Sequence, residues 1–150
     1  MYRQILVAVD GSEVANQAFE HAIGLAQQVG AKLLVIYIVE YPRTVYASEA
    51  FDVGPFYQAM LDEAKTVLDK AKARLSQAGV QGEVKMIDSG NIGNSVADEL
   101  EDAVKTLGAD LVVMGTHGRR GFQRLMLGSV AEAFVRRSPV PVMLIPAGSH

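Results

Sequence analysis

The sequence predicts an α/β domain: a parallel five-stranded sheet in the order 3-2-1-4-5, with helices on both faces. Three observations carry this. Short apolar runs alternate strictly with stretches of helical apolar spacing from end to end, the pattern of parallel strands joined by right-handed crossovers. The first, second and fourth runs are unbroken by polar residues, as interior strands covered on both faces must be. The third and fifth runs are broken, one by charges and the other by proline, which marks them as edges. At 150 residues, 49% of them apolar and 21% charged, the chain has the size and composition of one ordered domain. It contains no internal repeat, low-complexity segment or recognisable linker.

Each element follows in turn. Residues 5–9 form the first strand, ended by Asp10-Gly11-Ser12. Ser12 is placed as the N-cap of a helix in which Ala15, Ala18, Phe19, Ala22, Leu25, Ala26 and Val29 recur at helical spacing, and Gly30 stops it. Residues 33–39 are the second strand. A second helix over 57–78 turns Leu61, Ala64, Leu68, Ala71 and Leu75 inward and ends at Gly79. Residues 83–88 alternate polar and apolar as a third strand. A helix over 95–107 carries Val96, Leu100, Ala103, Val104 and Leu107. Residues 111–114, 129–137 and 140–145 read as the fourth strand, a short fourth helix and the fifth strand.

The third strand interleaves Glu83 and Lys85, while the fifth contains Pro141 between Pro139 and Pro146. Two edges and three interior strands fit the order 3-2-1-4-5. In that order the winding reverses between strands 1 and 4, and ligands bind in the crevice beyond the carboxyl ends there. The segments to inspect are Asp10-Gly11-Ser12 and whatever follows Met114.

Gly115, Gly118 and Gly121 follow Met114 at spacings of three, and Gly128-Ser129 opens the fourth helix. The glycines let the backbone turn and approach a ligand, and the helix start favours an anion. Arg119, Arg120 and Arg124 lie in this loop with no acidic residue. Together these features read as a polyphosphate site; the competing reading is a glycine-rich connector with solvated arginines. The loop is neither a P-loop, since no Gly-Lys-Ser/Thr follows, nor the G-x-G-x-x-G dinucleotide fingerprint. With 14 Lys and Arg against 17 Asp and Glu, the net charge of −3 argues against a nucleic-acid partner or an acidic membrane. The absence of cysteine excludes disulfides and thiolate sites and fits a reducing compartment. The first apolar run is too short for a signal peptide, and no stretch reaches the roughly 18 apolar residues of a membrane span. A soluble, cytoplasmic protein without membrane insertion is expected.

The loop resembles the ATP-binding branch of the universal stress protein family, whose motif is Gly-x2-Gly-x9-Gly-Ser/Thr. The chain matches it with Gly115, Gly118, nine residues, and Gly128-Ser129. Asp10 after the first strand, Gly108-Ala109-Asp110 and the closing Ser138-Pro139-Val140-Pro141-Val142 are similar to the family too, so the resemblance spans residues 1–150 as one domain. It implies a Rossmann-like fold of the adenine nucleotide alpha hydrolase type. It further implies that Gly115, Thr116, His117, Gly118, Arg119, Arg120 and Gly121, with Gly128, Ser129 and Val130, wrap the ribose and phosphates. Ser129 would offer its hydroxyl and N–H to the terminal phosphates. Ala8 and Ile38 would meet the adenine edge through main-chain groups, and Asp10 would face the ribose or a phosphate-bound Mg²⁺. The family commonly dimerises through its last strand, which implies a homodimer through 140–145 and leaves a higher oligomer open. Gly90-Asn91-Ile92-Gly93-Asn94 departs from the short proline-containing turn frequent in the family after strand 3.

Other residues carry competing readings. Asp10 could instead cap the first helix. His21, His117 and His150 have no metal-ligand spacing; His117 could donate to phosphate, His21 reads as helix surface and His150 as a frayed tail. Tyr41, Tyr46, Phe51, Phe56 and Tyr57 crowd a long connection, either a lid or oligomer contact, or aromatics pinning the loop to the core. Lys65, Lys70, Lys72 and Arg74 among Asp62, Glu63 and Asp69 read as a solvated, salt-bridged helix face. The function that follows is ATP binding with Mg²⁺ by a nucleotide-responsive stress protein that signals to a protein partner. No carboxylate or glutamine is placed to orient water, so catalysis beyond slow ATP hydrolysis is not indicated. The alternative is a dimeric partner-binding module independent of nucleotide. A nucleotidyl transferase or ligase would need a substrate domain or a further motif, and the sequence contains neither.

Overall fold

The computed structural model describes residues 1–40, 53–88, 94–116 and 127–148. The elements run β1 (Gln4–Ala8), α1 (Glu13–Val29), β2 (Lys32–Ile38), α2 (Val53–Ala78), β3 (Gly82–Ile87), α3 (Val96–Leu107), β4 (Leu111–Gly115), α4 (Ser129–Arg137) and β5 (Val142–Ile145). All strand pairings are parallel, in the order β3-β2-β1-β4-β5. This is the sheet that the alternation and the broken edge strands predict.

Side chains alternate across a strand, so β1 serves two cores. Ile5 and Val7 join Phe19, Ala22 and Ala26 of α1 and Ala64, Leu68, Ala71 and Leu75 of α2. Leu6 joins Leu100 and Val104 of α3 and Phe134 of α4 on the other face. Helices α1 and α2 thus cover one side, α3 and α4 the other. Each fully buried Leu, Ile or Val contributes about 1.5–3 kcal/mol of burial, and these two layers hold the fold together.

The helix ends follow the sequence signals. Ser12 Oγ accepts from the Ala15 N–H at 3.2 Å, and Gly30 adopts φ 71°, where it donates to the Ala26 carbonyl. Ser95 and Asp98 form a reciprocal capping box on α3. At the amino end of the sheet, Asp110 accepts from the N–H groups of Arg3 and Gln4 at 2.9 and 3.1 Å, joining the starts of β1 and β4.

Several boundaries differ from expectation by one to four residues. Helix α2 begins at Val53 rather than 57, because Pro55 falls in a first turn, where a helical N–H has no partner to lose. Phe56 and Tyr57 are therefore helical, while residues 41–52 of the aromatic connection lie outside the described residues. Strand β5 begins at Val142 rather than 140. The Ser138 hydroxyl donates to the Val140 carbonyl at 2.7 Å and accepts from its N–H at 3.3 Å, folding the chain locally before Pro141. Strands β1 and β2 start one residue early, at Gln4 and Lys32, since the backbone ladder ignores side-chain polarity. The basic face of α2 also does more than expected. The Arg74 guanidinium donates to both Glu20 oxygens at 2.8 and 2.7 Å, tying α2 to α1.

Candidate functional site

Asp10 stands two residues beyond the end of β1. Its Oδ1 accepts from the Ser12 N–H at 2.8 Å, a turn made possible by Gly11 at φ 84°. Ser12, not Asp10, supplies the helix cap. Asp10 lines an open cleft with Tyr37, Ile38, Val39 and Glu40 at the end of β2 and with Met60 and Glu63 of α2. The structure thus brings Asp10 and Ile38 together. Tyr37, Glu40, Met60 and Glu63 are cleft residues that sequence reasoning missed. The available signal was spacing: Met60 lies one turn before Ala64, on the same apolar stripe.

Ala8 ends β1, directly beside Ile36 of β2. Ala8, Ile38 and Val130 all pack partly buried against the second core cluster, so these three residues share one face of the sheet. The other end of the glycine segment is equally well placed. The Thr116 N–H donates to the Ile145 carbonyl at 3.1 Å, and the Thr116 carbonyl accepts from the Gly128 N–H at 2.6 Å. That bond pins both ends of the glycine-rich connection where β4 hands over to α4. His117, Gly118, Arg119, Arg120, Gly121 and Arg124 lie outside the described residues, as do Gly90 to Gly93 and His150.

Gly128 is the N-cap of α4, with φ −64°, ψ 160° and no side chain to accept from the first turn. Helices α1 and α3, by contrast, are capped by Ser12 and Ser95. The first intrahelical bond of α4 is from the Glu132 N–H to the Gly128 carbonyl. The N–H groups of Ser129, Val130 and Ala131 therefore precede the helical ladder, with the positive end of the helix dipole behind them. Ser129 is exposed and free to present its hydroxyl.

Helix α4 is held in this aim by Phe134, which is fully buried, and by Arg137, which forks onto Asp98 and Glu101 of α3 at 2.7 Å each. The Ser95 N–H and then the Arg137 guanidinium hold the Asp98 carboxyl down at about 2, while Lys105 and Arg137 lower Glu101. Among the described residues no three His, Cys, Asp or Glu side chains cluster as metal ligands, and His21 is exposed on α1. None of the described helices is long and apolar enough to cross a membrane.

The model of the universal stress protein family matches residues 1–146. The chain belongs to the universal stress protein family. A universal stress protein of Methanocaldococcus jannaschii is 30% identical over 145 residues, covering 97% of this chain and 82% of that protein. A crystal structure of a family protein from Burkholderia pseudomallei is 36% identical, with a TM-score of 0.81 over 97% of each chain. A universal stress protein of Archaeoglobus fulgidus, solved in complex with dAMP, is 23% identical and has the same fold, with a TM-score of 0.69 over 96% of this chain and 98% of that one. In this universal stress protein, then, the cleft beside Asp10 and Ile38 and the open start of α4 both lie at the carboxyl end of the family's sheet.

Proposed function

We propose that the chain, as one domain over residues 1–150, is an ATP-binding universal stress protein that takes ATP with Mg²⁺ across the gap between β1 and β4. The observation that carries the reading is the uncapped start of α4, pinned by Thr116 and Gly128 at the switch point between β1 and β4. Free backbone donors at a helix start suit phosphate oxygens, and Gly128 leaves them unobstructed. Ser129 and Val130 would hold the phosphates, together with Gly115, Thr116 and the residues His117 to Gly121. Ala8 and Ile38 would meet the base through main-chain groups. Asp10 would face the ribose or the metal. Magnesium is usually held by one or two carboxylates plus substrate phosphates, so a single Asp10 fits that role better than it would fit a zinc cage. The Archaeoglobus fulgidus relative with bound dAMP supports an adenine nucleotide as the ligand class.

In this reading the protein is a nucleotide-responsive regulator of the stress response in the cytoplasm, with at most slow hydrolysis. It acts as a homodimer through β5, with a protein partner reading the nucleotide state. Dialysed protein should gain thermal stability with Mg-ATP, and mass spectrometry of nucleotide released from fresh protein should identify an adenine nucleotide. No ligand-dependent shift at millimolar Mg-ATP would leave the nucleotide-independent dimeric module as the function.

A further inference from the structure

The apolar stripe of α2 runs off the end of the sheet. Ala64, Leu68, Ala71 and Leu75 are buried in the first core cluster. Met60, one turn nearer the start of the helix, is only half-buried and lines the cleft with Asp10 and Ile38. A thioether therefore faces the space assigned to the ligand. The chain contains six methionines and no cysteine, so thioethers are the sulfur groups that an oxidant can attack. They are not equivalent. Met114 is buried in β4 and Met1 is fully exposed, while Met126 lies outside the described residues. Met86 and Met143 are half-buried on the edge strands β3 and β5 and pack against the same core cluster as Met60. Neither of them lines the cleft.

We propose that Met60 is an oxidation site through which a hydroperoxide lowers the occupancy of the cleft; this rests on the nucleotide reading above and adds a control to it. In the step, a lone pair of the Met60 Sδ attacks one peroxide oxygen. The O–O bond breaks as the S–O bond forms, so sulfur is oxidised and the peroxide reduced. The departing hydroxide takes the proton left on the sulfur-bound oxygen and leaves as water. A sulfoxide reductase drawing electrons from a dithiol reverses the change. The product is a polar side chain where a flexible apolar one stood. The cleft is poorly furnished to receive it. Asp10, Glu40 and Glu63 line it with carboxylates, which accept hydrogen bonds and repel the negative end of an S–O dipole. Ile38 and Val39 offer no side-chain partner, and among the described lining side chains only the Tyr37 hydroxyl can donate. The reduced thioether is soft and polarisable and packs favourably against an aromatic ring such as a nucleobase. The same atom thus favours a bound base when reduced and opposes it when oxidised, and a bound base covers the sulfur.

Purified protein is treated with hydrogen peroxide, with and without Mg-ATP, and oxygen uptake at each methionine is followed by peptide mass spectrometry. At about ten times its Kd a ligand leaves roughly one chain in eleven free, so Mg-ATP should slow Met60 oxidation about tenfold. Met86 and Met143 should keep their rates. Calorimetric titration of the oxidised protein should show Mg-ATP affinity lowered about 3- to 10-fold. Met60→Gln, which sets a polar group at the same place, should shift affinity in the same direction. Met60→Leu, whatever its own starting affinity, should retain that affinity after peroxide, which separates Met60 from oxidation elsewhere. The shielding measurement uses the unaltered chain and stands even if a variant folds poorly. In protein that binds Mg-ATP, no slowing at Met60, or equal slowing at Met86 and Met143, would overturn the oxidation site and leave the nucleotide reading in place. So would unchanged affinity after oxidation, or a Met60→Leu variant that loses affinity with peroxide as the unaltered protein does. Absence of Mg-ATP binding by unoxidised protein would overturn both.

Discussion

Replacing Gly128 by aspartate should move stability and nucleotide affinity in opposite directions. Gly128 is the N-cap of α4 and sits at φ −64°, ψ 160°, a conformation open to any residue, so the new side chain meets no backbone penalty. An aspartate there accepts from the N–H of the second or third helical residue, Val130 or Ala131. Against a glycine cap that is a gain of a few tenths of a kcal/mol, with about 0.3–1 kcal/mol more from the helix dipole. The same carboxylate takes the donors assigned to phosphate and sets a negative charge beside it. One charge-assisted hydrogen bond is worth about 1.5–3 kcal/mol, so ATP affinity should fall roughly 10- to 100-fold from one lost bond, and further from repulsion. Thermal melts without nucleotide and calorimetric titration with Mg-ATP read the two effects separately. Unchanged affinity in a folded Gly128→Asp variant would refute the assignment of the phosphates to α4. A destabilised nucleotide-free variant would show instead that Gly128 is needed for packing.

Further outcomes follow from the structure. Gly82→Ala builds a Cβ only 2.4 Å from the Leu33 carbonyl oxygen, and backbone cannot yield cheaply, so denaturant unfolding should show a loss of about 1–3 kcal/mol. The Asp98 carboxyl titrates lower in the folded protein than in the unfolded chain, so the stability it confers is present above 3.8 and is lost as pH falls toward about 2. Melting profiles across that range should show a reduced loss for Arg137→Gln, though not its disappearance, because the Ser95 N–H remains the largest cause. With Mg-ATP, residues 41–57 should gain hydrogen-exchange protection, and unchanged exchange would refute the reading of this connection as a lid over the nucleotide. Turnover should stay below roughly 0.1 per second, far under the ~10 per second of a median enzyme, and a faster rate would reveal a catalytic group not assigned above.

Much of the fold was legible because its signals are local. Pro141 and the charges of Glu83 and Lys85 named the two edge strands, and naming the edges fixed the order of the sheet. Ser12 and Gly30 bounded α1 because caps are chosen by backbone geometry within one turn. What escaped depends on neighbours distant in sequence. The Arg74 fork onto Glu20 joins residues 54 apart, and the Asp110 clamp on Arg3 spans 107. Gly82 carries no glycine signal of its own, since its φ is ordinary; the constraint comes from Leu33 on the next strand. In the candidate site, Asp10 was found from the end of an apolar run and Ile38 through the family resemblance. Met60 and Glu63 were not, because a helix pattern alone does not tell which turns extend past the sheet.

The two ends of this sheet divide the work of the molecule. At the amino end, Asp110 holds Arg3 and Gln4, the Gln4 side chain donates to the Gly108 carbonyl, and Gly30 and Gly108 close their helices in the left-handed conformation. Polar groups there are satisfied within the chain, which leaves little for a ligand. At the carboxyl end, a glycine stands where a capping serine would stand, and a bond from Gly128 to Thr116 gathers the connection without closing the helix. Ser12 and Ser95 show that this chain caps α1 and α3 with serine. Gly128 forgoes a few tenths of a kcal/mol by comparison. A small stability sacrifice at a turn beside the switch point, in a helix otherwise fixed by Phe134 and Arg137, suits the proposed phosphate site: donors left open, and a rigid element to aim them.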